Sequence, residues 1–166
     1  MNRTDYNRFE IGYLTDNIKF ADSKAGVLIG MDGLMLRAAV DFFNSAGITS
    51  DSLFASSTSL GHISVILGAA FLIAGIILSL AVVFPRRGSG IQRGFVFWES
   101  IAKYPSADEY TKDVMNITEE ELDRKMSQQQ YFVSLTATKK YNMLRRAFIV
   151  SSGGALFITI TAFTLK

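Results

Sequence analysis

Residues 63–84 read ISVILGAAFLIAGIILSLAVVF, a run without one ionisable side chain. As an α-helix it is about 33 Å long, enough to cross the hydrocarbon core of a bilayer. Apolar runs in soluble cores are usually shorter, so the length favours a transmembrane helix. Pro85-Arg86-Arg87 follows at once. The proline ends the helix, and the two arginines mark one membrane interface. Every other segment is read relative to this span.

The chain has 166 residues, of which 49% are hydrophobic, and a mean hydropathy of +0.23. That is high for a soluble domain and modest for a pure membrane bundle. A few spans and a small polar part in one unit satisfy it. The net charge of +2 makes no general case for nucleic-acid binding. With no cysteine there is no disulfide framework, thiol nucleophile or thiolate metal site. A single histidine speaks against zinc. The opening MNRTDYNRFEIGYL carries acids and no continuous apolar core, unlike a signal peptide.

Upstream, Asp5 to Ser23 has Tyr6, Phe9, Tyr13, Leu14, Ile18 and Ala21 at helical spacing, which predicts an amphipathic helix. Lys24 to Phe43 is long enough to span but holds Asp32 and Arg37. Each such charge at mid-helix costs about 2.5–3.5 kcal/mol to insert, so this span needs partner helices. Gly26, Gly30 and Gly33 suit close helix approach. Asp32 and Arg37 are candidates for a pore-lining or gating pair. The alternative has Asp32 facing the bundle interior and Arg37 reaching to the interface. Residues 44–62 are polar and without Lys or Arg, which suits an outer loop ending at His62.

Downstream, Phe95–Trp98 is aromatic and reads as a strand or an interfacial segment. Ser106…Glu109 and Thr118…Glu121 form two capping boxes, each opening a helix. From Glu119 the helical pattern continues toward Arg145-Arg146, where the apolar stretch 147–165 begins. That stretch is the third span, and its Ser151-Ser152-Gly153-Gly154 predicts helix–helix contact.

Lys24, Arg86, Arg87, Arg93, Lys139, Lys140, Arg145 and Arg146 flank the spans on one side. The positive-inside rule puts that side in the cytoplasm. The reading is an all-α membrane protein with three transmembrane helices and a small helical cytosolic part. Its segments are a cytosolic amphipathic helix over 1–24, spans over 25–43, 63–84 and 147–165, a periplasmic loop over 44–62, and a cytosolic helical region over 85–146.

Asp22-Ser23-Lys24-Ala25-Gly26-Val27-Leu28 resembles the D-x-K-A-x-x-L signature that opens the membrane part of the Pycsar effector domain family. Phe97-Trp98-Glu99-Ser100-Ile101-Ala102, Glu109-Tyr110 and Gln130…Leu135…Lys140-Tyr141-x-x-Leu144-Arg145-x-Ala147 are similar to its second half. The motifs run in order over nearly the whole chain. The resemblance implies bacterial anti-phage defence. In that family a partner pyrimidine cyclase makes cyclic CMP or cyclic UMP on infection, and the effector answers the messenger. The membrane-only type, which this chain resembles, impairs the inner membrane and halts the cell.

No P-loop, H-E-x-x-H or G-x-S-x-G is present, so no enzyme is expected, nor any cofactor beyond the activating nucleotide. Glu119-Glu120-Glu121 reads as an acidic first turn. A cyclic mononucleotide needs a cation for its phosphate and an aromatic or amide group for its base. Arg93, Lys103, Lys140, Arg145 and Trp98 are the candidate binders, with Phe97, Tyr104 and Gln130 nearby. Three helices do not enclose a wide pore, so a homo-oligomer in the lipid bilayer is expected. The competing readings are a non-conducting regulatory membrane subunit that binds a partner protein, and a holin-like lytic protein.

Overall fold

A computed structural model describes residues 3–45, 60–84 and 98–164. All described elements are helices: α1 (Arg3–Ser45), α2 (Leu60–Val83), α3 (Trp98–Ile101), α4 (Ala107–Asn116) and α5 (Glu119–Thr164). The chain divides into two compact units. One comprises Met1–Phe20 with Pro85–Lys139, the other Ala21–Phe84 with Lys140–Lys166.

The expected amphipathic helix and first span are one helix. α1 runs for 43 residues without a break at Lys24. Nothing between Asp5 and Phe43 breaks a helix, because no proline occurs there and each glycine stands alone. α5 is likewise continuous over 46 residues, as expected for a polar helix running on into an apolar one. α2 ends at Val83, and the Phe84 amide still donates to the Leu80 carbonyl at 2.9 Å. Both capping boxes form on their N-terminal side. Ser106 Oγ accepts from the Glu109 amide, and Thr118 Oγ1 from that of Glu121, each at 3.2 Å. Trp98 opens a short helix; of the expected loop over 44–62, residues 44–45 belong to α1 and 60–62 to α2, while residues 46–59, Phe95–Phe97 and Pro85-Arg86-Arg87 lie outside the described residues.

Two described helices are long and apolar enough to cross a membrane, with spanning segments Ile63–Val83 and Glu119–Phe163. The expected span over 25–43 is not among them. Asp32, Arg37 and Asp41 all fall within that part of α1, so composition does not mark it as a span.

In the first unit α1 and α5 run side by side in the same direction, residue i of α1 meeting residue i+119 of α5, as Thr4 meets Asp123. Their contact is polar. Asn7 is buried, and its Oδ1 accepts from Gln130 Nε2 at 2.9 Å. Thr4 and Asn7 both donate to Asp123 Oδ1, at 3.1 and 3.4 Å. Tyr104 and Tyr110 meet edge to face, their centroids 5.3 Å apart, where α4 begins.

In the second unit the same parallel offset recurs, with Asp32 meeting Ser151. α2 lies antiparallel in this unit: its Ser64 meets Thr161, its Gly68 lies at Ile158 and its Gly75 at Ser151. Phe71 packs on Phe157 with ring centroids 5.6 Å apart. The interior mixes small and polar residues, among them Ala21, Ala25, Ser79, Ala147, Ser151 and Thr161, with Leu28, Val65, Leu72 and Val82. Other large apolar ones point out: Val27, Leu34, Ile77, Phe148 and Phe163 are all more than half exposed. Water would drive the opposite arrangement, whereas lipid permits this one.

The glycines that allow close approach are not those of α1. A Cβ on Gly26, Gly30 or Gly33 would meet nothing within 4 Å. A Cβ on Gly154 would lie 2.8 Å from Leu72 Cγ and 3.0 Å from the Leu72 amide nitrogen. One on Gly68 would lie 2.8 Å from Ile158 Cδ1. The helices touch backbone to side chain along the α2–α5 seam. α1 turns Ala21, Ala25, Leu28 and Asp32 inward and its glycines outward. Gly154→Val should therefore destabilise the packed chain in detergent by about 1–3 kcal/mol. Gly30→Ala should be neutral or stabilising by up to about 1 kcal/mol. Thermal unfolding of the two variants beside the parent checks the contrast.

Candidate functional site

Three polar contacts cross the second unit at different heights. At one end Lys140 Nζ donates to Asp22 Oδ1, with Lys140 buried and Asp22 half-buried. In the middle Ser151 Oγ donates to Asp32 Oδ2 at 2.6 Å. At the other end the Ser64 and Thr161 hydroxyls share a hydrogen bond of 2.8 Å. Ten residues separate the levels along α1 or α5, so each step is about 15 Å of helix rise. The first and last levels are about 30 Å apart, the thickness of a bilayer core.

Asp32 is 1% exposed. Its place requires Gly75, because a Cβ there would stand 2.8 Å from Asp32 Oδ2 and in collision with Ser151 Oγ. Arg37 does not join it. Arg37 pairs with Asp41 one turn on, at 2.9 Å, on an exposed face of α1. Asp32 thus faces the interior with Ser151, and Arg37 points out with Asp41.

Three of the five candidate nucleotide binders have described side chains. Lys140 is engaged with Asp22, while Arg145 is exposed on α5 in the same unit. Lys103 follows α3 in the first unit. Arg93 and the Trp98 side chain lie outside the described residues. In the first unit one open face of α5 carries Arg124, Ser127, Gln128, Tyr131 and Phe132 together. Tyr131 and Phe132 meet edge to face at 5.8 Å. The sequence alone does not single out this face or Asn7. Steps of three and four residues from Thr4 to Ala39 in α1, and from Met126 to Thr161 in α5, were the available signal.

The family model described as "Pycsar effector protein domain" matches residues 7–165. The chain belongs to the Pycsar effector family. It is 31% identical over 159 residues to the Pycsar effector protein SaPycTM of Staphylococcus aureus, covering 93% of this chain and 90% of that protein. No solved structure matches. The first and last of the stretches that carry the resemblance touch, Asp22 against Lys140.

Lys140 therefore has a structural partner that any reading of it as a ligand must accommodate. Lys140→Glu sets two carboxylates face to face and should destabilise the protein by about 2–4 kcal/mol, between the exposed and fully buried limits for ion pairs. Adding Asp22→Lys should restore at least half of the loss. Thermal unfolding of the single and double variants measures it.

Proposed function

We propose that this chain is an anti-phage defence effector that damages the bacterial inner membrane when a partner cyclase supplies cyclic CMP or cyclic UMP. Family membership supports the defence role. The many large apolar side chains that the second unit turns outward, around an interior rich in small and polar residues, are the observation that carries the membrane role. It also favours three spans over two. The interior face of α1 buries Asp32 and leaves Val27, Met31 and Leu34 outward, so α1 has a lipid-compatible surface despite its charges. Arg37 and Asp41, exposed one turn apart, suit the outer interface.

The nucleotide response is assigned to the first unit. On one face of its α5 Arg124 stands with Tyr131, Phe132 and Gln128. A cation, two rings and an amide are the groups that a phosphate and a pyrimidine call for. The damaging state is a homo-oligomer, because three helices are too few to enclose a path for dye.

Dye uptake tests the reading. Cells expressing the chain should admit a membrane-impermeant dye when cyclic CMP or cyclic UMP is supplied, and not without it. Arg124→Glu should lower uptake at least tenfold with the protein still in the membrane fraction. Uptake independent of nucleotide would favour a lytic protein that needs no messenger.

Topology is tested separately. The positive-inside rule with three spans places the N-terminus in the cytoplasm and a reporter fused after Lys166 in the periplasm. An alkaline phosphatase fusion there should be active. Activity of a cytoplasm-only reporter at that position would exclude three spans.

A further inference from the structure

Asp32 is the one fully buried acidic side chain among the described residues. An ionised carboxylate accepts about four hydrogen bonds. Here Ser151 is the donor that the described residues supply. No cation of the surrounding helices faces Asp32. On α1, Lys24 is eight residues back and exposed, while Arg37 lies about 140° around the helix and pairs with Asp41. The described part of α2 from Ile63 to Val83 holds no ionisable group, and neither does α5 from Ala147 to Phe163. Lys140, about 16 Å along α5 from Ser151, is held by Asp22.

A second observation points to the same place. Ser79 is fully buried, and its hydroxyl has no hydrogen-bond partner. It lies one turn from Gly75 on the same face of α2, the face that meets Asp32 and Ser151. A bare negative charge in this apolar interior is strongly disfavoured, and buried charges are paired or neutralised.

We propose that Asp32, with the Ser151 and Ser79 hydroxyls, forms an intramembrane binding site for a small monovalent cation, either a proton or an alkali-metal ion. Gly75 leaves the room the site needs. The site neutralises Asp32 in the packed state. The inference rests on the second unit spanning the bilayer and is independent of the nucleotide response.

The test uses the full chain in phosphatidylcholine–phosphatidylglycerol vesicles. Flotation with the vesicles and resistance to carbonate extraction first establish that the chain is integral, and failure there rejects the membrane reading rather than the site. Infrared spectra are then recorded at pH 8 in choline, sodium and potassium chloride. A proton site gives a carboxylic-acid C=O band in all three salts, lost in Asp32→Asn. An alkali-ion site gives that band in choline and loses it in sodium or potassium. Ser151→Ala keeps the carboxyl but removes its donor, so it should shift the band even if Asp32→Asn fails to fold. Absence of any carboxylic-acid band sensitive to these substitutions, in every salt, overturns the proposal.

Discussion

The pairing of α1 with α5 is the constraint on which the rest of the structure depends. Both helices carry a seam stepping alternately three and four residues, and in each unit the same offset brings them together. Such a seam is the geometry of parallel helices packed knobs into holes. Polar residues sit in it: Asn7 and Asp32 on α1, Gln130, Lys140 and Ser151 on α5. A polar residue at a seam position costs stability and specifies register, because a slipped pairing would leave it without its partner. Asn7 with Gln130, Asp22 with Lys140, and Asp32 with Ser151 each oppose a slip.

α2 is a different kind of partner. It has no polar register marker in its middle and is apolar all round. Its place is set by absent side chains. Gly68 and Gly75 on α2, and Gly154 on α5, let the helices approach until side chain meets backbone. In lipid the hydrophobic effect does not drive helices together, so such contact and a few interhelical hydrogen bonds carry the association. Ser64 with Thr161 is one of those bonds, and the room left by Gly75 at Asp32 and Ser151 is the other fixed point.

This division separates two tasks within one family architecture. The first unit joins its helices by hydrogen bonds among Asn7, Asp123, Ser127 and Gln130, a style suited to water. The second buries Ala, Ser and one carboxylate beside Leu28, Val65, Leu72 and Val82, and exposes many other Leu, Ile and Phe side chains, a style suited to lipid. Two uninterrupted helices, α1 and α5, contribute to both units.

The sequence by itself determined the helical class, the span that starts at Ile63, the helix openings at Ser106 and Thr118, and the continuity of α5. These follow from local rules: length of an apolar run, capping chemistry, and the absence of proline. The family was legible too, because its motifs are short and keep their order. Only the tertiary structure decided what the polar residues do. Lys140 reads from sequence as a free cytosolic cation, yet it is buried against Asp22, more than a hundred residues away. Gly26, Gly30 and Gly33 read as a contact stripe, yet α1 turns that face away from α2 and α5. A helix has only one face toward its neighbours. Which face that is depends on the phase of the whole seam, and no single motif carries that phase.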